Sequence, residues 1–278
     1  MNIGEISYTN IIPLYYYLNR ERLMEQGVSI THAVPSKINK LMEEQHVDIG
    51  GISSFSFGKN ADRYHLVPDL SVSSFGKVNS IFLFSKYPIQ ALHEKNVALT
   101  SSSETSVALL KIIMCHFFKV EASFHVEAPH FKKMMDQYDA CLLIGDDAIT
   151  ANRVNNIYYV YDLGEIWYEQ TGLPMVFAVM AYRKEMEEEN KNLLSYVGQS
   201  MIESKERCQF EKFAPVINFV MKEHGGSYDF WQNYFNGLNY GFDGEHEKGL
   251  SYYFQLAKEC GLLQTIPSIL KFPISNGR

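Results

Sequence analysis

The sequence predicts an α/β protein of two lobes, each a mostly parallel sheet flanked by helices. Three observations carry this. Short apolar runs alternate with amphipathic segments of helical period, the pattern of parallel strands joined by helical crossovers. The alternation occurs twice in tandem, in residues 1–54 and again in 96–144. The chain of 278 residues is long enough for two modest cores, since domains usually run to about 100–150 residues.

Residues 1–8 read as a short buried strand, and Pro13 suits the first turn of a helix over 13–20 with Tyr15, Tyr16 and Leu18 on its apolar side. A strand at 29–33 follows. Pro35-Ser36 opens a helix whose Ile38, Leu41 and Met42 face a core, and 47–54 is a third strand ending in glycines and hydroxyls. Residues 64–85 hold two strand-like segments around Phe75-Gly76, the second at 80–85 and ended by Pro88. The second set runs strand 96–99, helix 105–118, strand 123–127, helix 132–138 and strand 140–144. After a strand at 175–181 the pattern is helical, beginning with a charged segment at 185–192 and continuing through Leu263.

Composition narrows the function. Hydrophobic residues make up 46% and charged residues 21%, so the chain should fold throughout. A net charge of −7 with no cluster of Lys and Arg argues against a nucleic-acid surface. No apolar run approaches the roughly 20 residues of a membrane span. The first residues carry no basic, apolar or cleavage signature of a secretory leader, so a cytoplasmic location is expected. Cys115, Cys141, Cys208 and Cys260 are dispersed in apolar or helical contexts and read as reduced packing thiols. The sequence does not fix an oligomeric state.

Hydroxyls and amides cluster where strands run into helices. Residues 99–110 form a hydroxyl-rich turn into a helix, with Ser103, Thr105 and Ser106 beside free backbone N–H groups that can hold a carboxylate without a cationic side chain. Helix caps need the same residue types, and both readings stand. Asn10, after the first strand, is either a cap or an amide presented to a ligand at the carboxyl ends of the strands. Gly50-Gly51-Ile52-Ser53-Ser54 and Gly145-Asp146 also close strands, and their glycines can serve simply to relieve turns. Asp146 and Asp147 are general bases or helix caps. Nucleotide-binding loops, nucleophile elbows and zinc signatures are missing. His125 and His130 have the wrong spacing for one helical face and read as packed or solvent-facing, while 243–247 reads as a solvated loop. Trp167 and Tyr168 wall a pocket or, by default, pack in a core.

Taken together, Ser7-Tyr8-Thr9-Asn10 with Pro13-Leu14, residues 47–54, Gly76-Lys77-Val78-Asn79-Ser80, Ser103-Glu104-Thr105-Ser106, residues 142–148, and residues 161–167 with Thr171-Gly172-Leu173-Pro174 resemble the chorismate dehydratase family of the futalosine route to menaquinone. The resemblance covers the chain to about residue 183 and weakly matches Gly249-Leu250 and residues 261–263. The chain departs from the family at Thr9, where Leu is frequent, and at Met180, where Trp is common. A related enzyme of that route, acting on cyclic de-hypoxanthinyl futalosine, shares the fold but opens with a different motif.

The resemblance implies a type 2 periplasmic-binding-protein-like fold, with residues 1–87 plus 181–278 in one lobe, 88–180 in the other, and the ligand between. It implies a lyase that converts chorismate, a small dicarboxylate, into 3-[(1-carboxyvinyl)oxy]benzoate without metal or cofactor. The expected roles are Thr105, Ser106 and the adjoining amides on one carboxylate, Ser80 and the Ser53-Ser54 turn helping with the rest of the substrate, and Ser103 and Gly145 among the substrate-binding residues. Asn10 would orient the reacting edge or stabilise the departing hydroxyl, and the base would be Asp146 or a carboxylate of the substrate itself. The reading from another class is a non-catalytic binder of a small carboxylate.

Overall fold

The computed structural model describes residues 1–270, and residues 271–278 of the expected first lobe lie outside the described residues. The chain begins with β1 (Asn2–Ile6), a 3-10 turn at Thr9–Leu14, α1 (Arg20–Glu25), β2 (Ser29–Ala33), α2 (Pro35–Glu43), β3 (Ile49–Ser53), α3 (Ser54–Lys59) and β4 (Tyr64–Ser74). β1 pairs in parallel with both β2 and β3. α2 starts on Pro35, whose missing N–H would have no helical partner anyway, and buries Ile38 and Met42. The helix expected over 13–20 is absent. Pro13 lies inside the 3-10 turn, and the helix starts later because the Asn19 side chain accepts the Arg22 N–H at 3.0 Å.

There follow β5 (Ile81–Ser85), β6 (Asn96–Thr100), α4 (Glu104–Ile112) continuing as a π-helical turn at Ile113–Phe118, β7 (Ser123–Glu127), α5 (Phe131–Gln137), β8 (Ala140–Ile144), α6 (Gly145–Val154), β9 (Tyr159–Asp162), α7 (Leu163–Thr171) and β10 (Met175–Arg183). The two five-stranded sheets have the orders β2-β1-β3-β10-β4 and β7-β6-β8-β5-β9. They are built alike. Each has three parallel strands and then an antiparallel strand that the other half of the chain sends across, β10 into the first sheet and β5 into the second.

This exchange corrects the expected lobe boundaries at 87/88 and 180/181. β5 hydrogen-bonds with β8 and β9, and β10 with β3 and β4, so the chain crosses between sheets at residues 75–80 and 172–174 instead. Pro88 marks the end of a strand, but only pairing decides which sheet that strand joins. The run of β5, apolar from Ile81 to Phe84 and buried throughout, suits a central position in either.

The remaining elements are α8 (Met186–Glu189), α9 (Lys191–Phe210), α10 (Ala214–His224), α11 (Tyr228–Gly237) and α12 (Gly244–Glu259). They pack on the first sheet and reach the second lobe. α12 buries Leu250, Tyr253 and Phe254, each contributing about 1.5–3 kcal/mol by leaving water, and the Tyr253 hydroxyl donates to the Thr105 carbonyl at 3.2 Å. The segment 243–247 is not a loose loop: Asp243 caps α12 by accepting the N–H groups of Glu245 and His246, and His246 is 1% exposed.

Candidate active site

A cavity of about 40 Å³ lies between the sheets, at the carboxyl ends of the parallel strands, where open α/β sheets collect ligands. Its polar wall contains Asn10 from the 3-10 turn, Ser53 at the end of β3, Ser103 and Ser106 at the start of α4, and Gly145 at the start of α6. Its apolar wall contains Ile6, Ile11, Pro35, Val72, Ile81, Ile144, Phe177 and Ala178, with the Tyr8 ring beside them. No Lys, Arg, His, Asp or Glu lines it among the described residues. Five of the nine expected site residues therefore share one cavity: Asn10, Ser53, Ser103, Ser106 and Gly145.

Two of the serines also cap helices. Ser103 accepts the Ser106 N–H at 3.2 Å, and its hydroxyl donates to the Ser106 hydroxyl at 3.2 Å. Ser53 accepts from the Ser56 N–H at 3.3 Å and from the Asn39 amide at 2.9 Å. Capping and cavity lining thus coincide here, because a side chain that caps a helix start stands beside the N–H groups that favour an anion. Asn10 differs from them. Its amide oxygen Oδ1 is buried and has no hydrogen-bond partner, a condition that needs a reason, since buried polar atoms are nearly always paired.

The other four expected residues do not line the cavity. The Ser54 hydroxyl donates to the Val176 carbonyl at 2.7 Å, and the Thr105 hydroxyl accepts the Phe55 N–H at 3.0 Å, across the lobes. Both hold the scaffold. Ser80 is 0% exposed, with its hydroxyl donating to the Val78 carbonyl at 3.3 Å and its carbonyl accepting the Gly145 N–H at 2.7 Å. It thus sits directly behind two wall residues, Ile81 and Gly145.

Asp146 is held by Thr9 of the other lobe, whose hydroxyl donates to Oδ1 at 2.6 Å and whose N–H donates to Oδ2 at 3.3 Å. Burial pushes its carboxyl above the usual carboxylate range, and the Thr9 hydroxyl opposes the rise. Asp147, also raised by burial, accepts from the Tyr8 hydroxyl at 3.4 Å. Burial likewise pushes the Tyr8 phenol up to about 12. Gly145 is required at its position: φ is +58°, and an added Cβ would stand 2.8 Å from the Tyr8 ring. Gly50 is needed for another reason than a turn, since it lies in β3 where a Cβ would come within 2.5 Å of the Gly4 carbonyl.

The lobes meet through further polar contacts. Glu104 accepts from Lys59 at 2.6 Å and from Asn39 at 3.2 Å, and the Ser36 N–H donates to the Ser102 carbonyl at 3.2 Å. Trp167 is core, 0% exposed, packed against Tyr252 and Tyr253. His125 and His130 are exposed. Of the cysteines expected as packing thiols, Cys141 and Cys208 are buried, Cys260 is half-buried and Cys115 is exposed. Among the described residues no group of His, Cys, Asp and Glu could hold a metal, and no helix is long and apolar enough to cross a membrane.

The sequence reading missed the apolar wall from Val72, Phe177 and Ala178. No local signal marks them, because they reach the cavity only through the antiparallel pairing of β10 between β3 and β4.

Comparison with known proteins agrees with this arrangement. The chain is similar to the alkanesulfonate-binding protein SsuA from Xanthomonas axonopodis pv. citri, with a TM-score of 0.68 at 12% identity over 96% of each chain. That likeness shows a periplasmic-binding-protein-like fold. A chorismate dehydratase of Thermus thermophilus is 35% identical over 205 residues, 66% of this chain and 70% of that enzyme. A chorismate dehydratase of Campylobacter jejuni subsp. jejuni is 29% identical over 183 residues, 64% of this chain and 66% of that enzyme. The sequence profile described as menaquinone biosynthesis matches residues 1–259, and this chain belongs to that menaquinone-biosynthesis family.

Proposed function

We propose that this protein is a lyase that dehydrates chorismate to 3-[(1-carboxyvinyl)oxy]benzoate as a step of menaquinone biosynthesis. The carrying observation is the unpartnered Asn10 amide oxygen at a cavity whose polar wall is neutral serine hydroxyls at helix starts. Family membership supplies the substrate class. A dicarboxylate is held in this reading by Ser103 and Ser106 at the start of α4 and by Ser53, with dipoles in place of cations.

The reaction requires removal of the proton at C3 and departure of the hydroxyl at C4. The C3–H electron pair becomes a ring double bond as the C4–O bond breaks, and the proton leaves with the hydroxide as water. Aromatisation drives the step, so the protein's task is orientation and selection of this elimination. Asn10 lies at the reacting edge, and Ser80 assists from behind Gly145. Asp146 is committed to Thr9 and turned away from the cavity. The wall offers no base of its own, which favours the substrate's enolpyruvyl carboxylate, carried on the C3 oxygen, as the acceptor of the C3 proton.

A cavity of about 40 Å³ is well under the roughly 300 Å³ of an ordinary small-molecule pocket. In this reading the lobes separate to admit substrate and close on it. A cytoplasmic location belongs to the same proposal, in keeping with four free cysteines.

The test is incubation with chorismate, followed by ultraviolet absorbance and mass detection of the dehydrated product. Product formation is expected. Saturable binding of chorismate without product would replace this reading with that of a carboxylate-binding protein. Turnover of cyclic de-hypoxanthinyl futalosine instead would assign the related step.

A further inference from the structure

The segment that carries Asn10 is anchored to its own lobe on either side. Before it, the Ser7 N–H donates to the Ala33 carbonyl of β2 at 3.0 Å. After it, Ser204 of α9 accepts the Tyr17 N–H at 3.0 Å, and its hydroxyl donates to the Pro13 carbonyl at 2.8 Å. Between these anchors the turn is poorly bonded to itself at Asn10. The Ile11 N–H reaches the Tyr8 carbonyl only at 3.5 Å, and Pro13, three residues after Asn10, has no N–H to give the Asn10 carbonyl. The Asn10 amide oxygen has no partner either.

What grips the segment there is Asp146, from the other lobe. Its two oxygens accept the Thr9 hydroxyl at 2.6 Å and the Thr9 N–H at 3.3 Å, and Thr9 is 1% exposed. The carboxyl group stands on a rigid support, the first turn of α6, whose Gly145 N–H is fixed at 2.7 Å to the Ser80 carbonyl. Neither Asp146 nor Thr9 lines the cavity, whereas Asn10, the next residue, does. We propose that Asp146 is a positioning residue for Asn10: by holding Thr9 across the lobe interface, it fixes the direction of the Asn10 amide in the closed protein and releases it when the lobes part. The motion that encloses the substrate then also assembles the group that acts on it. This rests on the reading that Asn10 acts at the reacting edge.

The test measures kcat and the thermal midpoint for Asp146→Ala, Thr9→Val and Thr9→Ser, with Asp146→Ala also made in an Asn10→Ala background. Asp146→Ala is expected to lower kcat about 100-fold, the cost of a misplacement of about 1 Å, and by no more than Asn10→Ala itself. In the Asn10→Ala background it should lower kcat no further, because nothing is left to position, while its effect on the midpoint should be the same in both backgrounds. Thr9→Val should lower kcat about tenfold, the worth of one hydrogen bond, and Thr9→Ser, which keeps the hydroxyl, should recover most of that loss. The Thr9 pair decides the matter if Asp146→Ala does not fold. Wild-type kcat in Asp146→Ala or Thr9→Val, an equal fold-loss from Asp146→Ala in both backgrounds, or a Thr9→Ser no more active than Thr9→Val would each overturn the inference. Full turnover in Asn10→Ala would overturn the reading of Asn10, and the inference with it.

Discussion

Replacing Asn10 with Ala tests whether its unpartnered amide oxygen belongs to the reaction or to the scaffold. In the folded protein that oxygen accepts no hydrogen bond, so deleting it strands no donor and removes an unsatisfied acceptor. The stability change should stay within about 1 kcal/mol, the range of a truncation that breaks no network. Transition-state stabilisation should suffer far more. Loss of the preorganised amide, whose N–H group is the donor to the departing hydroxyl in this reading, costs about 2.7–4 kcal/mol, or about 10²–10³ in kcat. Asn10→Asp should be worse for binding, because it adds a negative charge to an otherwise uncharged wall facing a dianion. Steady-state turnover of chorismate with a urea titration of each variant measures both quantities. A kcat within threefold of wild type, or a stability loss above about 2 kcal/mol proportionate to the lost activity, would refute the assignment.

Gly145→Ala should destabilise by about 2–4 kcal/mol, from the left-handed backbone and crowding against Tyr8; a denaturant midpoint unchanged at constant slope would contradict it. Ser103→Ala should cost about 1 kcal/mol as a lost cap and also raise KM, and a stability loss with unchanged KM would reduce Ser103 to a cap. Asp146 holds its proton to higher pH when folded than its ordinary value of 3.8, so the native state binds more protons than the unfolded chain between those values. Stability from this group therefore falls as pH rises above 3.8 and through its raised folded value, and Asp146→Asn should gain on wild type as pH rises through that range; a constant difference would show that burial does not perturb the group. Small-angle scattering should change between free and chorismate-saturated protein, and superimposable curves would mean a rigid cleft.

Some of the site was legible because it is local. Ser53 and Ser103 sit where strand pattern gives way to helix pattern, and the structure finds both capping helices and lining the cavity. Ser54 and Thr105 carry the same local signature, yet point to Val176 and Phe55. Adjacent residues at a helix start face different directions, and spacing alone does not say which faces the other lobe. Asp146 read as a base or a cap, and became an interlobe acceptor only because Thr9 approaches from the opposite sheet.

By itself the sequence determined the class of the fold, the two tandem α/β sets, most strands, and the hydroxyl-rich helix starts. These follow from apolar periodicity and backbone capping, which act over a few residues. Tertiary structure alone decided that β5 and β10 exchange sheets, that an apolar wall faces the serines, and that Asn10 keeps a buried oxygen without a partner. Each of these depends on pairings between segments far apart in the chain, where an apolar run fits several sheet positions equally well until its neighbours are in place.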